Sequence, residues 1–156
     1  MESLKIKRDL IVIELIIQGV EILLLFLPWM FNWEHWERYD DVWGGGYTLI
    51  ARFERSFVDI LGLTNVFWGY MVIVFMAINI VLLLYYIFKS GRFNVAYIIT
   101  PICILLLFII FAFFACCMDD YGYCASLNWM FYVEVFLLIT SSMVSFMKFY
   151  GVLKAE

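Results

Sequence analysis

Glu14, Gln18 and Glu21 stand inside one otherwise apolar run, DLIVIELIIQGVEILLLFLPW. Their spacing of four and then three puts all of them on one face of a helix. A further acid, Glu134, lies in another apolar run, and Leu138, Ser141, Ser145 and Lys148 follow it on the same spacing. Carboxyl groups in such positions can hold a proton, ligate a cation or hydrogen-bond a neighbouring helix. They cannot stay ionised and unpaired in hydrocarbon, because desolvation costs too much.

The remaining faces of the first run are Ile, Val, Leu and Phe, so its polar stripe must turn toward protein. Glu21 and Glu134 sit at similar depths, roughly 10–12 Å from the same end of their runs at about 1.5 Å rise per residue, and so can meet. Asn79 lies near the middle of a third run, and Thr100 with Pro101 near one end of a fourth. Glu14 is close to the basic start of its run, where Lys7 or Arg8 is expected to offset it. Three arrangements satisfy Glu21 and Glu134. They can be neutral acids hydrogen-bonded to each other, Gln18 or Asn79, acting as glue between helices. They can be a proton or cation way-station in a transporter or channel. Or a partner subunit can complete the seam with a basic or polar group of its own.

The elements that position these residues follow from composition. Of the 156 residues, 66% are hydrophobic and 21% aromatic, and mean hydropathy is +0.96. A soluble domain is about half apolar, so this composition indicates an integral membrane protein. Four apolar runs, about 10–30, 66–88, 95–117 and 127–147, each match the roughly 20 residues that cross a bilayer as a helix. The last two connections are short and force antiparallel neighbours. The expected fold is all-α: one membrane domain over 1–156, a four-transmembrane-helix antiparallel bundle.

Seven of the ten Lys and Arg residues fall at the two termini and the second connection: Lys5, Lys7, Arg8, Lys89, Arg92, Lys148 and Lys154. Arg38, Arg52 and Arg55 fall on the other side, so both termini are expected in the cytoplasm, with the chain in the plasma membrane. The first run follows a basic segment as a signal peptide would. Its polar residues, its length and the ending FLPWMFNW, without a small-residue cleavage site, read instead as a retained helix.

The outer loop, 31–65, is entered through Trp29 and carries Trp33, Trp36, Tyr39 and Trp43. Such aromatics form an interfacial belt or a binding surface for a partner. After Gly44–Gly46, a flexible hinge, the residues Leu49, Ile50, Phe53, Phe57, Ile60 and Leu61 recur at helical spacing, opposite Arg52, Arg55 and Asp59. That pattern predicts an amphipathic helix over about 47–61, lying on the outer surface or capping the bundle. EHWERYDD gathers His35 with Glu34, Glu37, Asp40 and Asp41, yet without a spaced ligand pattern, and no metal or cofactor is expected.

Cys103 lies within an apolar run, whereas Cys124 is placed to form a disulfide with Cys116 or Cys117 in an oxidising compartment. The four-helix disulfide-generating oxidoreductases of bacterial membranes rely on a Cys-x-x-Cys pair and a second pair, and this chain has neither. Claudin-like proteins share the four-helix plan with a large Trp-containing outer loop, but residues 31–65 lack their cysteine pair. Small multidrug transporters share only the acid in the first helix. No nucleophile with a base and no phosphate-cradling loop is present, so an enzyme is not expected, nor is a nucleic-acid partner. The expectation is a small membrane protein acting by association, as an accessory or assembly subunit or an immunity-type protein, in a homo-oligomer or with a partner membrane protein. The alternative is a small oligomeric proton- or cation-coupled transporter or channel using Glu21 and Glu134.

Overall fold

Apolar runs that have no water to satisfy their backbone fold as helices, and four long ones dominate the chain. The computed structural model describes residues 2–28, 30–41, 44–89, 96–117 and 123–153; side chains are described in these except at 2–8, 40, 41, 89, 123, 124 and 149–153. The elements are α1 (Glu2–Leu25), β1 (Phe31–Asp41), β2 (Gly44–Arg55), α2 (Phe57–Thr64), α3 (Phe67–Lys89), α4 (Ala96–Cys117), β3 (Tyr123–Leu127) and α5 (Trp129–Leu153). Among the described residues, three segments are long and apolar enough to cross a membrane: Phe67–Phe88, Ala96–Cys117 and Trp129–Lys148. α1 packs against α5 and α3, and α4 packs against α3 and α5.

The expectation of an all-α fold is corrected by a three-stranded antiparallel sheet of order β2-β1-β3. The amphipathic helix expected over 47–61 is two elements, a strand to Arg55 and a short helix from Phe57. Leu49, Ile50 and Phe53 fit a helical stripe, but Tyr47, Thr48, Ile50 and Phe53 are also good strand formers, and a local window cannot separate the two. β1 decides it, pairing from Phe31↔Arg55 to Asp41↔Gly44. The register shifts between His35 and Trp36, which pair with Ala51 and Leu49, so Ile50 is the extra residue of a bulge.

The helix starts only where its cap is available. Ser56 Oγ accepts from the Asp59 backbone N–H at 3.0 Å, and Asp59 Oδ2 accepts from the Ser56 N–H at 3.1 Å. This capping box fixes the first turn of α2. Asn65, at φ 50°, closes the helix in the left-handed conformation, its N–H donating to the Leu61 carbonyl at 2.9 Å.

An aromatic cluster joins sheet to helices. Phe31 of β1 meets Phe111 of α4 edge-on at 5.9 Å and Phe131 of α5 at 6.0 Å. Phe57 of α2 stacks on Phe108 at 5.7 Å, and Phe108 stacks on Phe131 at 5.1 Å. All five rings are buried, and such pairs add about 0.5–1.5 kcal/mol each beyond their area. Gly69 of α3 permits the close approach beside them, because a Cβ there would lie 2.6 Å from Leu61 and 2.7 Å from Phe111.

Candidate functional site

Buried positions on α1 recur at Ile11, Glu14, Gln18, Glu21 and Leu25, and on α5 at Phe131, Glu134, Leu138, Ser141, Ser145 and Lys148. Spacings of three and four wind each set into one stripe, and the two stripes face each other where α1 packs on α5. The structure therefore gathers Glu14, Gln18, Glu21, Glu134 and Ser141 at one interface, with Asn79 of α3 beside Gln18. All six are at most 1% exposed. The seam is closed within a single chain.

Toward the end remote from the sheet, Lys148 forms a salt bridge with Glu14 Oε2, and Ser145 Oγ donates to Glu14 Oε1 at 2.6 Å. Lys148 is thus a basic partner of Glu14, and the expected offset by Lys7 or Arg8 lies outside the described side chains. The ammonium comes from the far end of the chain, folded back by antiparallel packing. In the middle of the seam, Asn79 Nδ2 donates to Gln18 Oε1 at 3.0 Å, and Gln18 Nε2 reaches the Met76 carbonyl at 3.5 Å.

Nearer the sheet the pattern changes. Glu134 lies within electrostatic reach of Glu21. Yet Glu21 Oε1, both carboxyl oxygens of Glu134 and Asn79 Oδ1 have no hydrogen-bond partner among the described residues. Phe131 and Leu138, one turn either side of Glu134, and Leu25, one turn from Glu21, are buried too. Thr100 is turned to its own helix, donating to the Ala96 carbonyl at 2.6 Å beside Pro101.

A second polar group, on the sheet, was not legible in the sequence. Glu34, only 5% exposed, accepts from Arg52 Nε at 2.8 Å, Ser126 Oγ at 3.1 Å and Trp36 Nε1 at 3.2 Å. Asn32 and Asn128 extend the ladder. Only knowledge that 44–55 is a strand places Arg52 opposite Glu34, since the register pairs them directly. Alternation along β1 also divides the expected aromatic surface. Trp33 packs against the core, whereas Trp36 lies on the face carrying Glu34. Trp29 and Trp43 lie outside the described residues.

Among the described residues no group of three His, Cys, Asp or Glu side chains gathers as a metal site requires. Cys116 is partly buried against the core and Cys117 is exposed. The side chain of Cys124, on β3, lies outside the described residues, and the expected disulfide with it. No protein-family model matches the sequence, and neither curated proteins nor solved structures give a match.

Proposed function

We propose that this chain is a small polytopic membrane protein that works by association, as an accessory or assembly subunit or an immunity-type protein, and that the β1–β2 hairpin is its docking element. In this reading α1 is a fourth membrane span, its polar stripe turned inward onto α5 and α3. The helices form an antiparallel bundle in the plasma membrane, the sheet is outside, and both termini are cytoplasmic, in line with the seven-to-three distribution of Lys and Arg.

The observation that carries the reading is the outer edge of β2. β2 is the terminal strand of the sheet, so one row of its backbone groups is unpaired within it. It also exposes Tyr47, Leu49, Ile50 and Phe53. Among the described residues β3 pairs with Phe31–His35, and the hairpin continues past that pairing. An unpaired edge strand with exposed apolar side chains is a template for another chain, and exposed Arg52 and Glu54 lie among them on β2. The two polar stripes bury each other within the chain, and in this reading the exposed edge is the docking surface, for a second copy or a different membrane protein.

A photocrosslinking residue at Tyr47 tests the reading in native membranes. One discrete adduct is expected, with a second copy or with one partner, and Ile50→Lys, which charges the edge, should abolish it. Monomer alone, before and after irradiation, sinks the reading.

The unpartnered carboxyl oxygens of Glu21 and Glu134 favour a second reading, a small oligomeric proton- or cation-coupled transporter or channel. Flux into liposomes that falls in Glu21→Gln and Glu134→Gln supports it, and a wild-type protein without flux removes it.

A further inference from the structure

The seam buries five carboxyl or amide side chains, Glu14, Gln18, Glu21, Asn79 and Glu134, and its described side-chain hydrogen bonds and ion pair involve Glu14, Gln18 and Asn79 rather than Glu134 or Glu21 Oε1. Lys148 is held by Glu14, 14 residues along α5 from Glu134 and so about 21 Å away at about 1.5 Å per residue. Asn79 Nδ2 is held by Gln18. The described charged groups on the buried faces of the packed elements are Glu14 and Glu21 of α1 and Glu134 and Lys148 of α5; α3 contributes Asn79, and α4 contributes Thr100. Among the described residues no N–H donates to Glu21 Oε1 or to either oxygen of Glu134.

Two adjacent carboxylates cannot both be ionised in such surroundings. What neutralises them must be small enough for a closed interface. A metal cation would want several further oxygen ligands, and no third acid is gathered there among the described residues. A proton needs only a carboxyl oxygen and an acceptor, and Glu134 offers two unpartnered oxygens while Glu21 offers one. We propose that Glu21 and Glu134 form a proton-binding carboxyl pair at the α1–α5 interface, holding an exchangeable proton there. Glu14, seven residues from Glu21 on the same stripe, is the contrasting acid: it meets the Lys148 ammonium and the Ser145 hydroxyl. The site shares its residues with the transport reading but does not require flux, so a proton-holding pair in a flux-silent protein upholds the one and removes the other.

The wild-type protein in lipid vesicles is treated with a lipophilic carbodiimide, which attacks protonated carboxyls, and the modified peptides are located by mass spectrometry. Modification is expected at Glu21 or Glu134, with Glu14 unmodified, and sodium or calcium chloride gives no protection. Infrared spectroscopy of the same vesicles should show a protonated-carboxyl C=O band that shifts in D2O and is lost in Glu134→Gln. Protection by either salt overturns the proton assignment in favour of a metal cation. Carboxylate bands alone, with no protonated-carboxyl band, overturn it outright.

Discussion

Lys148 shows how much a single residue decides in this fold. It is 4% exposed, and its ammonium balances an acid that is wholly buried. Lys148→Met should therefore destabilise the protein by about 3–5 kcal/mol, the usual consequence of stranding one member of a buried ion pair. Adding Glu14→Gln to that variant should recover a good part of the loss, since a neutral amide no longer needs a cation. Thermal unfolding in mild detergent reads both effects, and a double variant no better than Lys148→Met contradicts the pairing. The stripe of Glu14, Gln18 and Glu21 was legible in the sequence because spacings of three and four are unambiguous on a long helix. The partner was not. A lysine near the end of an apolar run reads as one that reaches for water, and nothing local says that it turns inward.

At the scale of elements, the strand β2 was hidden by a coincidence of periods. Its apolar residues at 49, 50 and 53 satisfy a helical stripe, and the bulge at Ile50 interrupts the alternation that would have announced a strand. For the apolar residues Leu49 and Phe53 the evidence lies 13 and 20 residues upstream, at Trp36 and Trp33 of β1, beyond a local window. The following helix is different, because its start is written locally in Ser56 and Asp59. Ser56→Ala should cost about 1 kcal/mol, as loss of such a cap does. Asp59→Ala should cost a similar amount, and the double variant less than the sum, because the two side chains serve each other's backbone. Strict additivity in denaturation midpoints would contradict the reciprocal cap. The glycines have a more specific task than a flexible hinge: Tyr39 lies over Gly46, where a Cβ would come within 2.6 Å of its hydroxyl. A glycine with an aromatic laid across it is a stable strand feature rather than a loose one.

For the whole molecule, sheet and helices are one structure. Phe31, Phe57, Phe108, Phe111 and Phe131 come from β1, α2, α4 and α5, so the cluster ties four elements distant in sequence. Gly69→Val should loosen this junction by driving a side chain into Leu61 and Phe111, with overpacking of about 1–3 kcal/mol. A melting temperature equal to wild type would show that the junction yields. The apolar runs announced the long helices at once, whereas the order in which they pack was legible only through the polar seam.

That seam also fixes an order in time. Glu14 and its partner Ser145 are separated by 131 residues. At roughly 5–20 residues per second, a ribosome completes α5 on the order of ten seconds after α1 has emerged. Throughout that interval the first helix carries its acids without the hydroxyl, the ammonium or the neighbouring carboxyl that will receive them. A nascent chain halted before Trp129 should thus be held by the insertion machinery or degraded, while one released after Lys148 should be stable. With α1 as the proposed fourth span, α5 is the helix that allows α1 to stay.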